Sequence, residues 1–316
     1  MIWPAKDVLE IVSLSRDHLE TFLGYAEGFE GDHENRAGEG RAVILLFFEA
    51  STRTRVSFEL AASRIGATVT VVDVSGSSVS KGETLRDTLR TFEALGADAV
   101  VIRHPVSGTL ERAASWTNCS LINAGDGMHE HPTQAFLDLY TLKKAFGRLD
   151  GLRVAFVGDI AHSRVARSNM HALMKMGAHP VAVGPATLLP PGLGEMGVST
   201  STNLEEVLPA ADVLYVLRVQ RERMQKALIP SLGDYARGYQ ITAERLGRAK
   251  KTCVVMHPGP MNRGVEISTE VADGPRSLIQ EQVKNGVIVR QALLAALFQR
   301  RNQEVRSQRS EGQLWQ

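Results

Sequence analysis

A short stretch after residue 50 places hydroxyl and guanidinium side chains at the predicted start of a helix. The apolar run 42–48 predicts a buried strand, and Ser51 can cap a helix that begins just after it. Backbone N–H groups at a helix start have no intrahelical partner, and the helix dipole adds partial positive charge there. Arg53 and Arg55 add two full charges, which oppose the dipole unless an anion is present. An ordinary capped helix with solvated arginines is the alternative, but the paired arginines favour a phosphate site.

Other residues that could bind a ligand or take part in a reaction lie where predicted strands end or helices begin. Arg103 follows an apolar run, where an unpaired charge would be costly, so we expect it to have an anionic partner. His131 precedes a long predicted helix; a lone histidine there is usually a core residue, but its place beside Gln134 favours a function. His104 and His257 each precede a proline and are expected to be structural residues of turns.

Length and composition describe a globular protein with material for two domains. Of 316 residues, 43% are hydrophobic and 22% are charged. The formal charge of +1 (36 basic and 35 acidic residues) gives no overall field to recruit nucleic acid or a membrane. Cys119 and Cys253 are too few for a disulfide framework or a zinc site. The first ten residues do not resemble the apolar region of a signal peptide, so we expect a cytoplasmic protein.

Strand-like and helix-like segments alternate in two series, which predicts an α/β fold. The predicted strands are 42–48, 68–74, 97–104 and 121–124, then 154–157, 180–183, 213–217 and 253–256. The predicted helices are 14–29, 54–65, 83–95, 110–114, 133–146, 165–176, 204–208 and 278–298. Each series predicts an open parallel, Rossmann-like sheet that binds ligands at the carboxyl ends of its strands.

The domain boundaries follow from these two series. We expect one domain from residues 1–132 with 285–316 and a second from 133–284, joined by helices. The polar segment 299–316 is expected to be disordered. The sequence around Gly158 lacks the G-x-G-x-x-G spacing of dinucleotide sites, so a nicotinamide dehydrogenase is the weaker alternative. A Walker A sequence is also missing, which leaves a kinase or ATPase without a phosphate cradle.

Motifs over most of the chain resemble the transcarbamoylases, the family of aspartate and ornithine carbamoyltransferases. The matching segments are Ser51-Thr52-Arg53-Thr54-Arg55, Ser77 with Lys81-Gly82-Glu83-Thr84, Arg103, His131-Pro132-Thr133-Gln134, Arg164, Arg218-Val219-Gln220 and His257-Pro258-Gly259-Pro260. The first of these resembles the family's carbamoyl-phosphate signature, and the last resembles its H-P-x-P turn.

The resemblance implies a role for each matched residue. Thr54, Arg103 and His131 would be the catalytic donors to the carbonyl oxygen. The residues implied to bind carbamoyl phosphate are Ser51, Thr52, Arg53, Thr54, Ser77, Lys81, Arg103, His131, Gln134, Pro258, Gly259 and Pro260. Those implied to bind aspartate are Lys81, Arg164, Arg218 and Gln220.

The last turn and the arginines resemble the aspartate branch of the family. Ornithine enzymes resemble H-C-L-P at this turn, whereas this chain has Gly259. A dicarboxylate needs cationic partners, and guanidinium groups bind carboxylates bidentately. The resemblance therefore implies transfer of the carbamoyl group from carbamoyl phosphate to the amino group of L-aspartate, giving N-carbamoyl-L-aspartate and phosphate in pyrimidine biosynthesis. It implies no metal and no organic cofactor.

The resemblance also implies an oligomer. Ser77 and Lys81 match a loop that a neighbouring subunit inserts into the active site of aspartate enzymes, so a homotrimer with shared sites is expected. Ser78 or Ser80 can replace Ser77 after a one-residue shift, and a solvated loop lysine is the alternative for Lys81. Residues 261–264 resemble enzymes without a zinc-containing regulatory chain, some of which bind a dihydroorotase-like partner. A non-catalytic scaffold in the family would need to have lost substrate residues, and the matched positions are all kept.

Overall fold

The computed structural model describes residues 1–32, 35–74, 82–220 and 228–313, with side chains described as far as residue 303. Ser77 and Lys81 lie outside the described residues. The chain forms two compact units, Met1–Phe136 with Asn285–Gln316 and Leu137–Lys284. Each unit contains one parallel sheet with helices, so the predicted α/β fold with two open parallel sheets is confirmed.

The first unit is built around a four-stranded parallel sheet with the strand order β2-β1-β3-β4. Its strands are β1 (Ala42–Phe47), β2 (Thr68–Val72), β3 (Ala99–His104) and β4 (Ser120–Asp126). Its helices are α1 (Arg16–Glu27), α2 (Thr52–Arg64), α3 (Leu85–Ala94), α4 (Thr109–Ala113), the start of α5 (Pro132–Phe146) and most of α11 (Ile279–Gln313). Ile44 of β1, Val100 of β3 and Leu121 of β4 are buried in one apolar cluster, because parallel sheets are covered by helices on their faces.

The second unit is built around a five-stranded parallel sheet with the order β7-β6-β5-β8-β9. Its strands are β5 (Arg153–Val157), β6 (His179–Val183), β7 (Ser199–Ser201), β8 (Val213–Val216) and β9 (Val254–Met256). Its helices are the rest of α5, α6 (Arg164–Lys175), α7 (Leu204–Val207), α8 (Leu232–Tyr239), α9 (Ala243–Arg248), α10 (Thr269–Ala272) and the start of α11. Ala155, Val183 and Leu214 belong to its apolar core.

Both sheets reverse their strand order at one point. In the first sheet, β1 has β2 on one side and β3 on the other, and in the second sheet β5 lies between β6 and β8. Ligands of open α/β sheets bind at such switch points, outside the carboxyl ends of the strands. The fold therefore makes the loops after β1, β3, β5 and β8 the places to search for a site.

Eight strands lie within two residues of their predicted ends, and β7 was not predicted. β7 is the polar tripeptide Ser199–Ser201, which pairs with β6 at the edge of its sheet. An edge strand of this kind has no apolar run to reveal it. Among the described residues, no helix is both long and apolar enough to cross a membrane.

The C-terminal segment is helical, in contrast to the disorder expected from its sequence. Helix α11 runs to Gln313, so the prediction of disorder from residue 299 is wrong for the described part of that segment. Gln299 donates to the Tyr25 hydroxyl at 3.1 Å, and Arg301 donates to the Asp98 carbonyl at 3.0 Å. The sequence beyond them is rich in Gln, Arg and Glu, which are strong helix formers. Extending an existing helix also avoids the cost of nucleating a new one.

Candidate active site

The loop after β1 delivers Ser51 to the N-terminus of α2. Ser51 is the N-cap residue, as predicted, but its side chain makes no capping hydrogen bond. Its hydroxyl instead accepts a hydrogen bond from Arg103 Nη1 at 3.3 Å. The first turn of α2 contains Arg53 and no acidic residue, so no carboxylate in that turn offsets the positive end of the helix dipole. This arrangement suits the binding of an anion.

Arg103 reaches Ser51 because β1 and β3 are neighbours in the sheet. Phe47 at the end of β1 pairs with Arg103 in the strand register. Arg103 Nε donates to Glu49 Oε2 at 3.2 Å, so the loop after β1 supplies both contacts. The anionic partner expected for Arg103 is thus provided in part by Glu49. Together the two contacts orient the guanidinium group beside the start of α2.

Three of the candidate residues in the first unit are buried: Thr54, His131 and Gln134, with exposed fractions of 7%, 3% and 8%. The His131 carbonyl accepts from the Gln134 N–H at 3.0 Å as α5 begins. Thr52 and Arg53, in contrast, are exposed. An exposed cation can attract a diffusing anion, whereas buried donors act in a lower dielectric, where their hydrogen bonds are stronger.

Helix α2 is held from behind by Arg290 of α11, a residue that sequence analysis missed. Arg290 is 3% exposed, and its Nη1 donates to Ser57 Oγ at 2.9 Å. Its guanidinium carbon lies 5.0 Å from the centre of the Phe58 ring, a favourable cation–π distance. Arg290 therefore fixes the turn of α2 that follows the candidate phosphate motif.

Three candidate residues of the second unit, Arg164, Arg218 and Gln220, follow β5 and β8, the strands at its switch point. Arg164 is the first residue of α6 and is 4% exposed, whereas Arg218 lies just after β8 and is partly exposed. Gln220 Nε2 donates to the His162 carbonyl at 2.9 Å. The loop after β8 is thereby tied to the loop after β5, which carries Arg164.

Asp159 is the centre of this connection, and sequence analysis gave it no role. Its carboxylate is fully buried, accepts from the Gln220 N–H at 3.1 Å, and lies 2.7 Å from His162 Nδ1. Asp159 thus holds both partners of the contact between Gln220 and His162. Its position directly after Gly158 at the end of β5 was the available signal, because that is where a switch-point site begins.

Gly158 is required by the packing of the protein itself. Its φ is +133°, and a Cβ atom there would lie 2.7 Å from the Leu217 carbonyl oxygen and 2.8 Å from the Tyr235 hydroxyl. This glycine needs no pyrophosphate to account for it, which weakens the dehydrogenase alternative further. Burial raises the pKa of Tyr235, and the charges of Glu266 and Asp159 add to the effect, so the hydroxyl keeps its proton.

The two histidines assigned to turns make hydrogen bonds within those turns. His104 Nδ1 accepts from the Val106 N–H at 3.1 Å, and burial lowers the pKa of His104. His257 Nδ1 accepts from the Gly259 N–H at 2.9 Å. Both contacts agree with the structural roles expected for these residues.

Among the described residues, one group of side chains has metal-ligand spacing. Glu10, Glu111 and His129 have ligand atoms within 4.8 Å of one another. His129 Nδ1 lies 3.1 Å from Asp126 Oδ2, and its Nε2 lies 3.8 Å from Glu111. None of the group belongs to the candidate site.

Two family models together match most of the chain. The model described as "Aspartate/ornithine carbamoyltransferase, carbamoyl-P binding domain" matches residues 6–144, and the one described as "Aspartate/ornithine carbamoyltransferase, Asp/Orn binding domain" matches residues 150–297. The chain belongs to the aspartate/ornithine carbamoyltransferase family. The resemblance inferred from its motifs is therefore confirmed.

Relatives in this family are similar over most of the chain. The aspartate carbamoyltransferase catalytic subunit of Pelotomaculum thermopropionicum is 57% identical over 258 residues, which cover 82% of this chain and 84% of the relative. The catalytic subunit of Mesorhizobium japonicum is 49% identical over 317 residues, which cover 98% and 97%.

Solved structures of family members share the fold. Aspartate transcarbamoylase from Trypanosoma cruzi in complex with N-(phosphonacetyl)-L-aspartic acid has a TM-score of 0.86 and 33% identity, covering 93% of this chain and 96% of that one. The same enzyme in complex with carbamoyl phosphate and aspartate has a TM-score of 0.85 and 32% identity, covering 93% and 97%.

Proposed function

We propose that this chain transfers the carbamoyl group from carbamoyl phosphate to the amino group of L-aspartate, producing N-carbamoyl-L-aspartate and phosphate for pyrimidine biosynthesis. One observation carries the choice of aspartate over ornithine. Arg164, Arg218 and Gln220 follow β5 and β8 at the switch point of the unit whose family model is named for aspartate or ornithine binding. Two guanidinium groups suit the two carboxylates of aspartate and would repel the ammonium group of ornithine.

The first unit is proposed to bind carbamoyl phosphate, in agreement with the name of its family model. Ser51, Thr52, Arg53, Thr54 and Arg103 would hold the phosphate, because α2 offers backbone N–H groups and a positive dipole end beside two arginines. Thr54, Arg103 and His131 would donate to the carbonyl oxygen as negative charge develops there. The domains at 1–132 with 285–316 and at 133–284 are proposed on the same grounds.

The chemistry needs no covalent nucleophile from the protein. The amine of aspartate attacks the carbonyl carbon, and phosphate leaves and accepts the amine's proton. Gln134 and the carbonyls of Pro258, Gly259 and Pro260 would bind the carbamoyl amide and keep the group in line with the amine. The protein's contribution is then to position two anionic substrates and to stabilise the charge on the carbonyl oxygen.

An assay with both amine substrates tests the proposed reaction. The purified protein should form carbamoyl-aspartate from carbamoyl phosphate and aspartate, and it should form no comparable amount of citrulline from ornithine. Comparable citrulline formation would overturn the choice of aspartate.

The arginine pair on α6 offers a matched test of aspartate binding. Arg164→Ala should raise the KM for aspartate by roughly 10²-fold, since a charged contact to a carboxylate is lost, and should raise that for carbamoyl phosphate much less. Arg167→Ala is the control, because Arg167 lies one turn later on the same helix and is exposed. Arg218→Ala should behave like Arg164→Ala. Equal aspartate KM values for the variants at 164 and 167 would remove Arg164 from the site.

The assembly is proposed to be a homotrimer with active sites shared between subunits. Val56 and Leu60, one turn apart on α2, are exposed, and so is Val71 on the edge strand β2. Apolar side chains on a helix and an edge strand favour burial against another chain. β2 is followed in sequence by the segment with Ser77 and Lys81, which are proposed to enter the neighbouring site. We also propose a cytoplasmic location and a dihydroorotase-like partner. Co-purification of such a partner with this protein would test the second of these.

A further inference from the structure

The turn at residues 257–260 has two backbone N–H donors, and both donate to buried side chains. Pro258 and Pro260 carry no N–H group. The His257 N–H donates to Gln282 Oε1 at 2.9 Å, and the Gly259 N–H donates to His257 Nδ1 at 2.9 Å. The donors of the turn are thus satisfied from within the unit, and its carbonyl groups are the backbone atoms that a ligand's N–H groups would address.

The contact to Gly259 fixes the proton on the His257 ring. Because Nδ1 accepts a hydrogen bond, the proton of the neutral ring is on Nε2. His257 Nε2 lies 3.3 Å from Glu266 Oε1, and both side chains are fully buried. The ring therefore donates to Glu266, and His257 links the middle of the turn to this carboxylate.

Glu266 also holds the chain just beyond the turn. The Asn262 N–H donates to the same oxygen, Oε1, at 2.5 Å. One carboxylate oxygen therefore receives a ring N–H from the first residue of the turn and a backbone N–H from the second residue after it. Glu266 therefore anchors both ends of the segment 257–262.

A second support lies behind His257. Gln282, whose Oε1 accepts from the His257 N–H, donates from Nε2 to Asp138 Oδ1 at 2.7 Å. Asp138 Oδ2 in turn accepts from the Tyr215 hydroxyl at 2.6 Å. This chain of contacts fixes the backbone where the segment leaves β9, and Glu266 fixes it where the segment ends.

We infer that Glu266 is a positioning residue for carbamoyl transfer, which acts by holding the carbonyl groups of residues 257–260 in place. The inference rests on the proposed function, in which these carbonyls bind the carbamoyl amide. Glu266 touches neither substrate. Its effect is on the orientation of the carbamoyl group toward the attacking amine, where misplacement by about 1 Å can cost on the order of 10² in rate.

A set of variants at Glu266 tests this role. Glu266→Ala should lower kcat by roughly 10²-fold, because both hydrogen bonds at Oε1 are lost. Glu266→Gln should recover most of this loss, since an amide oxygen can still accept from His257 and Asn262. The inhibition constant of inorganic phosphate should stay within about twofold of the wild-type value in both variants, because phosphate does not use this turn. If Glu266→Ala acted only by destabilising the fold, phosphate binding would weaken together with kcat.

Asp212→Ala is the matched control in the same unit. Asp212 accepts from the Arg153 N–H at 2.9 Å and pairs with Lys250 at 2.7 Å, but it lies at the amino end of β8, away from the proposed site. This variant should keep kcat near the wild-type value. If wild-type protein forms carbamoyl-aspartate and Glu266→Ala is as active as Asp212→Ala, the inference fails while the proposed function stands. If the wild type forms none, the proposed function fails first.

A variant at His257 keeps the test decisive if Glu266→Ala does not fold. In His257→Asn, the side-chain oxygen can still accept from the Gly259 N–H two residues on, but the asparagine side chain is too short to reach Glu266. It should lower kcat by roughly 10-fold with phosphate inhibition unchanged. Glu266→Gln keeps the contact to His257 and should by itself lower kcat little, so adding it to His257→Asn should leave kcat near that of His257→Asn alone. An unchanged kcat in His257→Asn would contradict the inference, and so would a large further loss in the double variant.

Discussion

His131→Ala should lower kcat for carbamoyl-aspartate formation by roughly 10²-fold or more, the usual effect of removing one donor to a developing oxyanion. His131 is 3% exposed and stands at the start of α5, on the loop after β4. A buried donor costs no reorganisation at the moment of reaction, so its loss acts on the transition state. Carbamoyl phosphate binding should weaken less, since the phosphate contacts are proposed to supply most of the affinity.

The competing role for His131 is that of a core histidine, and the two roles separate cleanly. A core role predicts a lower melting temperature with kcat retained in the folded fraction. His179→Ala provides the control, because His179 is an exposed histidine at the amino end of β6. Retained kcat with reduced stability would assign His131 to the core and leave Thr54 and Arg103 as the proposed donors.

The sheets were predictable because their strands are local apolar runs. Runs such as 42–48 and 213–217 correspond to β1 and β8, strands with buried residues along their length. Helix α2 was equally visible from Ser51, although the prediction began it two residues late. The edge strand β7 was missed, since a strand on the border of a sheet can be polar.

The positions of candidate residues were predictable, but their contacts were not. Arg103 could be placed at the end of a strand, yet its contact to Ser51 spans 52 residues of sequence. The contact of Gln220 with Asp159 spans 61 residues, and that of Arg290 with Ser57 spans 233. Such pairs depend on strand order and helix packing, which a single sequence does not specify. Glu266 was invisible for the same reason, because only folding brings it beside His257.

Lys81→Ala and Arg53→Ala should each be nearly inactive when assembled alone and should regain activity when mixed. In the proposed trimer, each active site takes Arg53 from one chain and Lys81 from the next. A cyclic trimer has heterologous interfaces, so the two lesions can fall in the same site or in different sites. Every mixed trimer then contains three kinds of site. One site carries neither substitution, one carries both, and one carries only one of them.

Recovery should follow the fraction of mixed trimers after dissociation and reassembly, up to about one third of the wild-type activity per trimer. The physical reason to import Lys81 is charge. The proposed phosphate site already holds Arg53 and Arg103, and a further cation from a neighbour makes complete binding of the anion depend on assembly. Reassembly of either variant alone provides the control and should restore nothing. Mixed trimers that form, as shown by mass spectrometry, and yet stay inactive would mean that Lys81 acts within its own chain or outside the site.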